Sequence, residues 1–234
     1  FRAAEGIYRA HPTAEARSSF QATVENFVTR FSDHDSAYEG WFRYAELLQA
    51  DRRYRDAADA YTKVKGPPLF EIRAASAEIQ SLADALSAPP EDADAAWAAE
   101  LRARVRDAYD RFEKLATANP KLAAEELRAR TTLSVAMAQS AGVAPELKAS
   151  LDTLRNFETR YANLPDLHVL ALALRLAVAS GLRDYDEAVA GVSKLPPAGS
   201  ESPQVLDILE RIARGFLVTA ADVAPADPTA SQQW

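Results

Sequence analysis

The stretch WFRYAELLQADRRYRDAADAYTKVKGPP, Trp41 to Pro68, decides the fold. Trp41, Tyr44, Ala45 and Leu48 recur at intervals of three and four, the period of one helix face. Asp51, Arg52 and Arg53 interrupt that period with a short polar turn. Ala57, Ala58, Tyr61 and Val64 resume it. Gly66, Pro67 and Pro68 end it, since proline cannot supply the next helical donor. Residues 37–50 and 54–65 are therefore expected as two helices, and so short a turn between them makes them antiparallel. Ala45 and Ala57 are small enough for close approach of the two. Trp41, Leu48 and Tyr61 are large and reach towards a further pair. One helix pair cannot bury both of its faces, so neighbouring pairs must stack on it.

The same period runs outward in both directions. Phe20, Val24, Phe27, Val28 and Phe31 mark residues 14–31 as a helix, read as an orphan second helix of an earlier pair. Ile72, Ala75, Ile79, Leu82 and Leu86 mark residues 70–87. Pro89 and Pro90 break the chain there. Trp97, Leu101, Val105, Ala108, Phe112 and Leu115 then form one continuous stripe that ends at Asn119-Pro120. Further helices are expected at 122–140, 146–162, 166–180, 184–194 and 203–219, and the tail 220–234, ending at Trp234, reads as extended. No stretch alternates with period two, so no strand is expected.

The 37–68 unit resembles the tetratricopeptide repeat, whose pattern is Trp-x2-Leu-Gly-x2-Tyr, then Ala-x3-Phe, then Pro. Here the positions are Trp41, Tyr44-Ala45, Leu48, Ala57, Tyr61 and Pro67-Pro68. The resemblance implies an all-α fold, a right-handed α-solenoid of antiparallel helix pairs in a single domain over 1–219. Its other units are weaker. Ile72, Ala75-Ser76 and Ile79 with Ala108-x3-Phe112 give a unit over 70–119. The separation from Ser76 to Ala108 exceeds that from Ala45 to Ala57 by 20 residues. That unit is expected to be a lengthened hairpin, projecting ~15 Å beyond its neighbours. Residues 122–163 and 166–197 read as degenerate repeats and 203–219 as a closing helix. From Phe27-Val28-Thr29-Arg30-Phe31 to Val64 the chain also looks similar to bacterial envelope repeat proteins, the outer-membrane assembly lipoproteins and the Tol-system coordinators. Asp33-His34 replaces their proline step and Arg53 their glycine. That resemblance implies a periplasmic or otherwise exported location, with a cytoplasmic one as the alternative.

Composition bounds the function. The 234 residues include 49 alanines against 8 glycines, a balance that favours helix. Net charge is −7, the wrong sign for a partner whose affinity comes from neutralised phosphates, so no nucleic-acid partner is expected. Zero cysteines exclude disulfides and thiol chemistry. No GxxxxGK, GxGxxG or HExxH run is present. His11, His34 and His168 lie far apart, His34 in a turn and His168 near a helix start. Ser76 and Ser134 fall where the repeat needs small residues. No catalytic residue, metal site, cofactor or membrane span is expected.

The function implied by the resemblance is a non-catalytic interaction scaffold that binds a peptide or partner protein on a concave surface lined by first helices. Carried over position by position, that surface comprises Glu39, Phe42, Glu46 and Gln49, then Arg73 and Gln80, then Arg128, then His168 and Arg175. It is expected to be acidic at the first unit and more basic later, to suit an extended or helical peptide. The alternative is a rigid spacer or oligomerisation domain of a larger membrane-associated complex, working through the protruding hairpin and tail. The chain itself is then a candidate homo-oligomer.

Overall fold

The computed structural model describes residues 1–32, 34–184, 187, 210 and 214. Among them the chain is all-α, without a strand. It divides into two compact units, Phe1–Val135 and Ala136–Trp234.

The first unit opens with α1 (Arg2–Ala10) and α2 (Ala14–Arg30), followed by α3 (Ala37–Ala50) and α4 (Tyr54–Tyr61). Then come α5 (Pro68–Ser87) and α6 (Ala95–Ala118). Residues Glu125–Ser140 form α7, which crosses into the second unit. The ends of these helices follow from local chemistry. Thr13 Oγ1 accepts the Ala16 N–H at 3.1 Å and starts α2. Asp94 Oδ1 accepts the Trp97 N–H at 2.7 Å and starts α6. Pro68 stands in the first turn of α5, where its missing N–H leaves no helical bond unmade. Pro68 thus begins the next pair, after α4 has already ended at Tyr61.

Each helix from α1 to α5 packs on its successor, and α3 also packs on α5. Phe42, Ala45 and Leu48 of α3 form one core with Ala57, Ala60 and Tyr61 of α4 and Ala74 of α5. Phe42 meets Tyr61 and Phe70 edge-on, with ring centroids 5.5 and 5.9 Å apart. Between α5 and α7, the Ser76 and Thr131 hydroxyls share a buried hydrogen bond of 2.7 Å. The apolar stripe of α6 faces inward: Leu101, Val105, Ala108 and Phe112 are buried, with Trp97 and Leu115 half-buried at its ends.

Three expectations need correction. The helix at 14–31 is no orphan, because α1 pairs with it. The Phe1 ring lies 4.9 Å from Phe27 and the Tyr8 ring 5.9 Å from Phe20, so the two helices run antiparallel. The helix expected at 54–65 stops at Tyr61, and residues 62–65 leave it as a turn. The lengthened hairpin exists, with helices of 20 and 24 residues against 14 and 8 in the pair before it. It projects less than expected. Arg55 at the start of α4 pairs with Glu100, so the first residue of α6 lies only ~7 Å beyond that level. Leu82, Ala83, Leu86 and Leu101, near the tip, are buried. The remaining surplus of α6 lies at its other end, where Arg111 and Leu115 run beside Val64 and Lys65.

In the second unit, α8 (Ala144–Arg155), α9 (Phe157–Arg160) and α10 (Pro165–Leu182) pack together, with α10 touching both of the others. The helix expected at 146–162 is broken at Asn156, whose backbone leaves the helical region. Leu151, Leu154, Phe157, Leu167, Leu174 and Val178 supply the core. Ser150 Oγ donates to the Ala136 carbonyl at 2.9 Å. By length and hydropathy α10 could cross a membrane, but its packing on α8 and α9 accounts for the same apolarity. The expected helices 184–194 and 203–219 and the tail 220–234, including Trp234, lie outside the described residues apart from Asp184, Glu187, Glu210 and Arg214.

Candidate interaction face

The adjacent helices α3 and α5 bring six of the expected residues into one region of the first unit. Glu39, Phe42, Glu46 and Gln49 follow spacings of three and four along α3, and Arg73 and Gln80 stand seven apart on α5. Arg73 and Gln80 are exposed. The four on α3 are largely committed within the chain. The Arg2 guanidinium donates to Glu39 Oε2 at 2.6 Å. Arg43 donates to Glu46 Oε2 at 2.6 Å and reaches Glu5 Oε1 at 3.1 Å. Phe42, expected on an open surface, is 7 % exposed and belongs to the core, with the Arg73 guanidinium 5.7 Å above its ring. The acidic character expected at the first unit is thereby offset, because Arg2 and Arg43 sit on the two carboxylates.

Gln49 links three helices. The Tyr61 hydroxyl donates to its Oε1 at 3.1 Å, and its side chain hydrogen-bonds Asp84. Burial pushes the Asp84 carboxyl up to about 6, against a smaller downward pull from Gln49. The Tyr61 hydroxyl is also raised by burial, with Glu46 adding to the effect and Arg43 opposing it. Glu78, earlier on α5 than Asp84, is 3 % exposed and ion-paired with Arg111 of α6. Desolvation raises its carboxyl while Arg111 pulls it down.

Of the remaining expected residues, Arg128 belongs to the first unit and His168 and Arg175 to the second. Arg128 donates to the Ala116 carbonyl at 2.9 Å and closes the end of α6. In the second unit, the His168 Nε2 lies 2.9 Å from the Tyr161 carbonyl oxygen. Arg175 donates to Glu187 Oε1 at 2.6 Å and lies 4.0 Å from Glu158. These charges tie the fold together. Sequence reading missed Arg43, Tyr61 and Asp84 as members of the polar strip. Spacing carried a signal for two of them, since Arg43 falls between Glu39 and Glu46 in helical phase and Asp84 stands four beyond Gln80.

Little here could hold a small ligand. A cleft lined by Val64, Lys65, Glu71, Ala74, Arg111 and Leu115 is open to solvent and has room for little more than one water, far short of the ~300–1,000 Å³ of ligand pockets. Its Glu71 carboxylate accepts the Gly66 N–H at 3.0 Å, and its Arg111 goes to Glu78. Among the described residues no three His, Asp or Glu side chains cluster to hold a metal. Comparison with models of known families, with curated proteins and with solved structures finds no match to this chain.

Proposed function

We propose that the chain is a TPR-like right-handed α-solenoid acting as a non-catalytic scaffold for a peptide or partner protein in a bacterial envelope assembly. The observation that carries this reading is the repeated offset between the second helices. Arg55 pairs with Glu100 at 3.1 Å and Asp59 with Arg104 at 2.7 Å. Both partners stand 45 residues away, so α4 and α6 run in the same direction, side by side, as stacked pairs require. The contact of α3 with α5 repeats that relation for the first helices. An elongated stack presents its first helices as an extended surface, which suits a polypeptide better than a small molecule. The surface available for a peptide is the part of α3 and α5 whose charges are least committed, Arg73 and Gln80, bordered by half-exposed Glu46. Arg73 would take an acidic group of the peptide and Gln80 a backbone amide. Partner capture from an envelope extract with Arg73→Glu combined with Gln80→Glu tests this. Loss of the wild-type partner, with helix content and melting preserved, is expected. Recovery equal to wild type would remove α3 and α5 as the binding surface.

A further inference from the structure

The helix α1 stands apart from the rest of the first unit. None of its nine residues is buried, yet it covers the apolar seam of α2 and α3, where Val24 has no exposure. Its attachments are few and specific: rings at both ends, Phe1 on Phe27 and Tyr8 on Phe20, and charges between them, Arg2 on Glu39 and Glu5 on Arg43. A nine-residue helix is too short to hold its own shape in water, so it depends on this seat. It is joined to α2 by His11, Pro12 and Thr13 alone. His11 is already extended (φ −137°, ψ 83°), as the residue before a proline prefers. A short hinge that favours extension, joined to a weakly held helix, is the setting in which copies of a chain exchange that helix.

We infer that the seam between α2 and α3 is a receptor for a short amphipathic helix, and that α1 of a second copy of this chain is its exchange partner. The helix on the page that fits the seam is this chain's own, with its Phe1-Arg2-x2-Glu5-x2-Tyr8 pattern matched to Phe27, Glu39, Arg43 and Phe20. Exchange breaks and remakes the same contacts. It is opposed only by the high effective concentration of α1 on its own chain, so it grows with protein concentration. The inference is independent of whether α3 and α5 take a peptide.

The absence of native cysteine makes the test clean. The register of the two ring pairs sets Ala4 opposite Val24. The full chain carrying both Ala4→Cys and Val24→Cys should close an internal disulfide, which confirms the seat. Chains carrying Ala4→Cys alone and Val24→Cys alone are then mixed, incubated and oxidised. A covalent mixed dimer is expected, rising with concentration. Arg43→Glu in the receptor chain should lower its yield several-fold, and Glu5→Arg in the donor should restore it. If the internal disulfide forms while no mixed dimer appears at any concentration, exchange does not occur. A mixed dimer insensitive to the charge swap would also overturn the inference, by showing non-specific collision.

Discussion

Asp84 sets a pH dependence that can be worked out in advance. In the unfolded chain its carboxyl titrates near 3.8, whereas burial in the first unit lifts it to about 6. The folded state therefore holds a proton that the unfolded state releases, and stability falls as pH rises through that interval. Above it the full cost applies. The rise is worth at most about 3 kcal/mol, and because Asp84 is only partly buried the expected cost is about 1–2 kcal/mol. Asp84→Asn removes the titration and keeps an oxygen acceptor for the Gln49 amide. It should be indistinguishable from wild type near pH 4 and more stable by about 1–2 kcal/mol near pH 7.5. Urea unfolding followed by helical circular dichroism at several pH values reads this directly as a shift in midpoint at constant slope. A difference that does not vary with pH would refute the reasoning. So would a wild type that is the more stable at neutral pH, since Gln49 would then hold the ionised carboxylate more strongly than burial penalises it.

Other perturbations probe the same core. Arg111→Ala leaves the nearly inaccessible Glu78 without its partner and should cost about 3–5 kcal/mol in chemical denaturation. Most of that loss should return when Glu78→Leu is added to Arg111→Leu. At Gly40 a methyl would meet the Phe27 ring at 2.7 Å and Val28 Cγ1 at 2.9 Å, where α2 and α3 approach. Gly40→Ala should therefore lower the melting point, by about 1–3 kcal/mol of overpacking less the gain in helix propensity, and a raised melting point would show that the two helices part easily. Ser81 buries its hydroxyl with no hydrogen-bond partner, so Ser81→Ala should stabilise by about 1 kcal/mol in the same urea assay.

Periodic apolar segments were legible because burial leaves its mark on sequence at fixed intervals. The bounds of α3 come out as 37–50 from spacing and the polar turn that follows, and the stripe of α6 points inward as Leu101 to Phe112 require. What escaped is what depends on distant residues. Helix α1 has no fully buried residue, and its charged attachments lie on Glu39 and Arg43, more than thirty residues away. Gly40 reads as an ordinary helix-weakening glycine until Phe27 and Val28 are seen against it. The projection of the hairpin was overestimated because residue number gives length but not the end at which it is placed. The intervals of three and four set Glu39, Phe42 and Gln49 in sequence along α3 without showing that Phe42 is buried. They are silent on whether Arg2, Arg73 or Tyr61 will arrive to meet them.

The cross-links between α4 and α6 carry opposite polarity at successive turns, cation to anion at Arg55–Glu100 and anion to cation at Asp59–Arg104. If one rod slid by four residues in one direction, Arg55 would face Arg104; in the other, Asp59 would face Glu100. Apolar surfaces tolerate sliding by a turn, since the same greasy ridge recurs. These two pairs act as a vernier that favours one setting of α4 against α6 over a slip of a turn either way, by the about 0–1 kcal/mol that each partly exposed pair contributes.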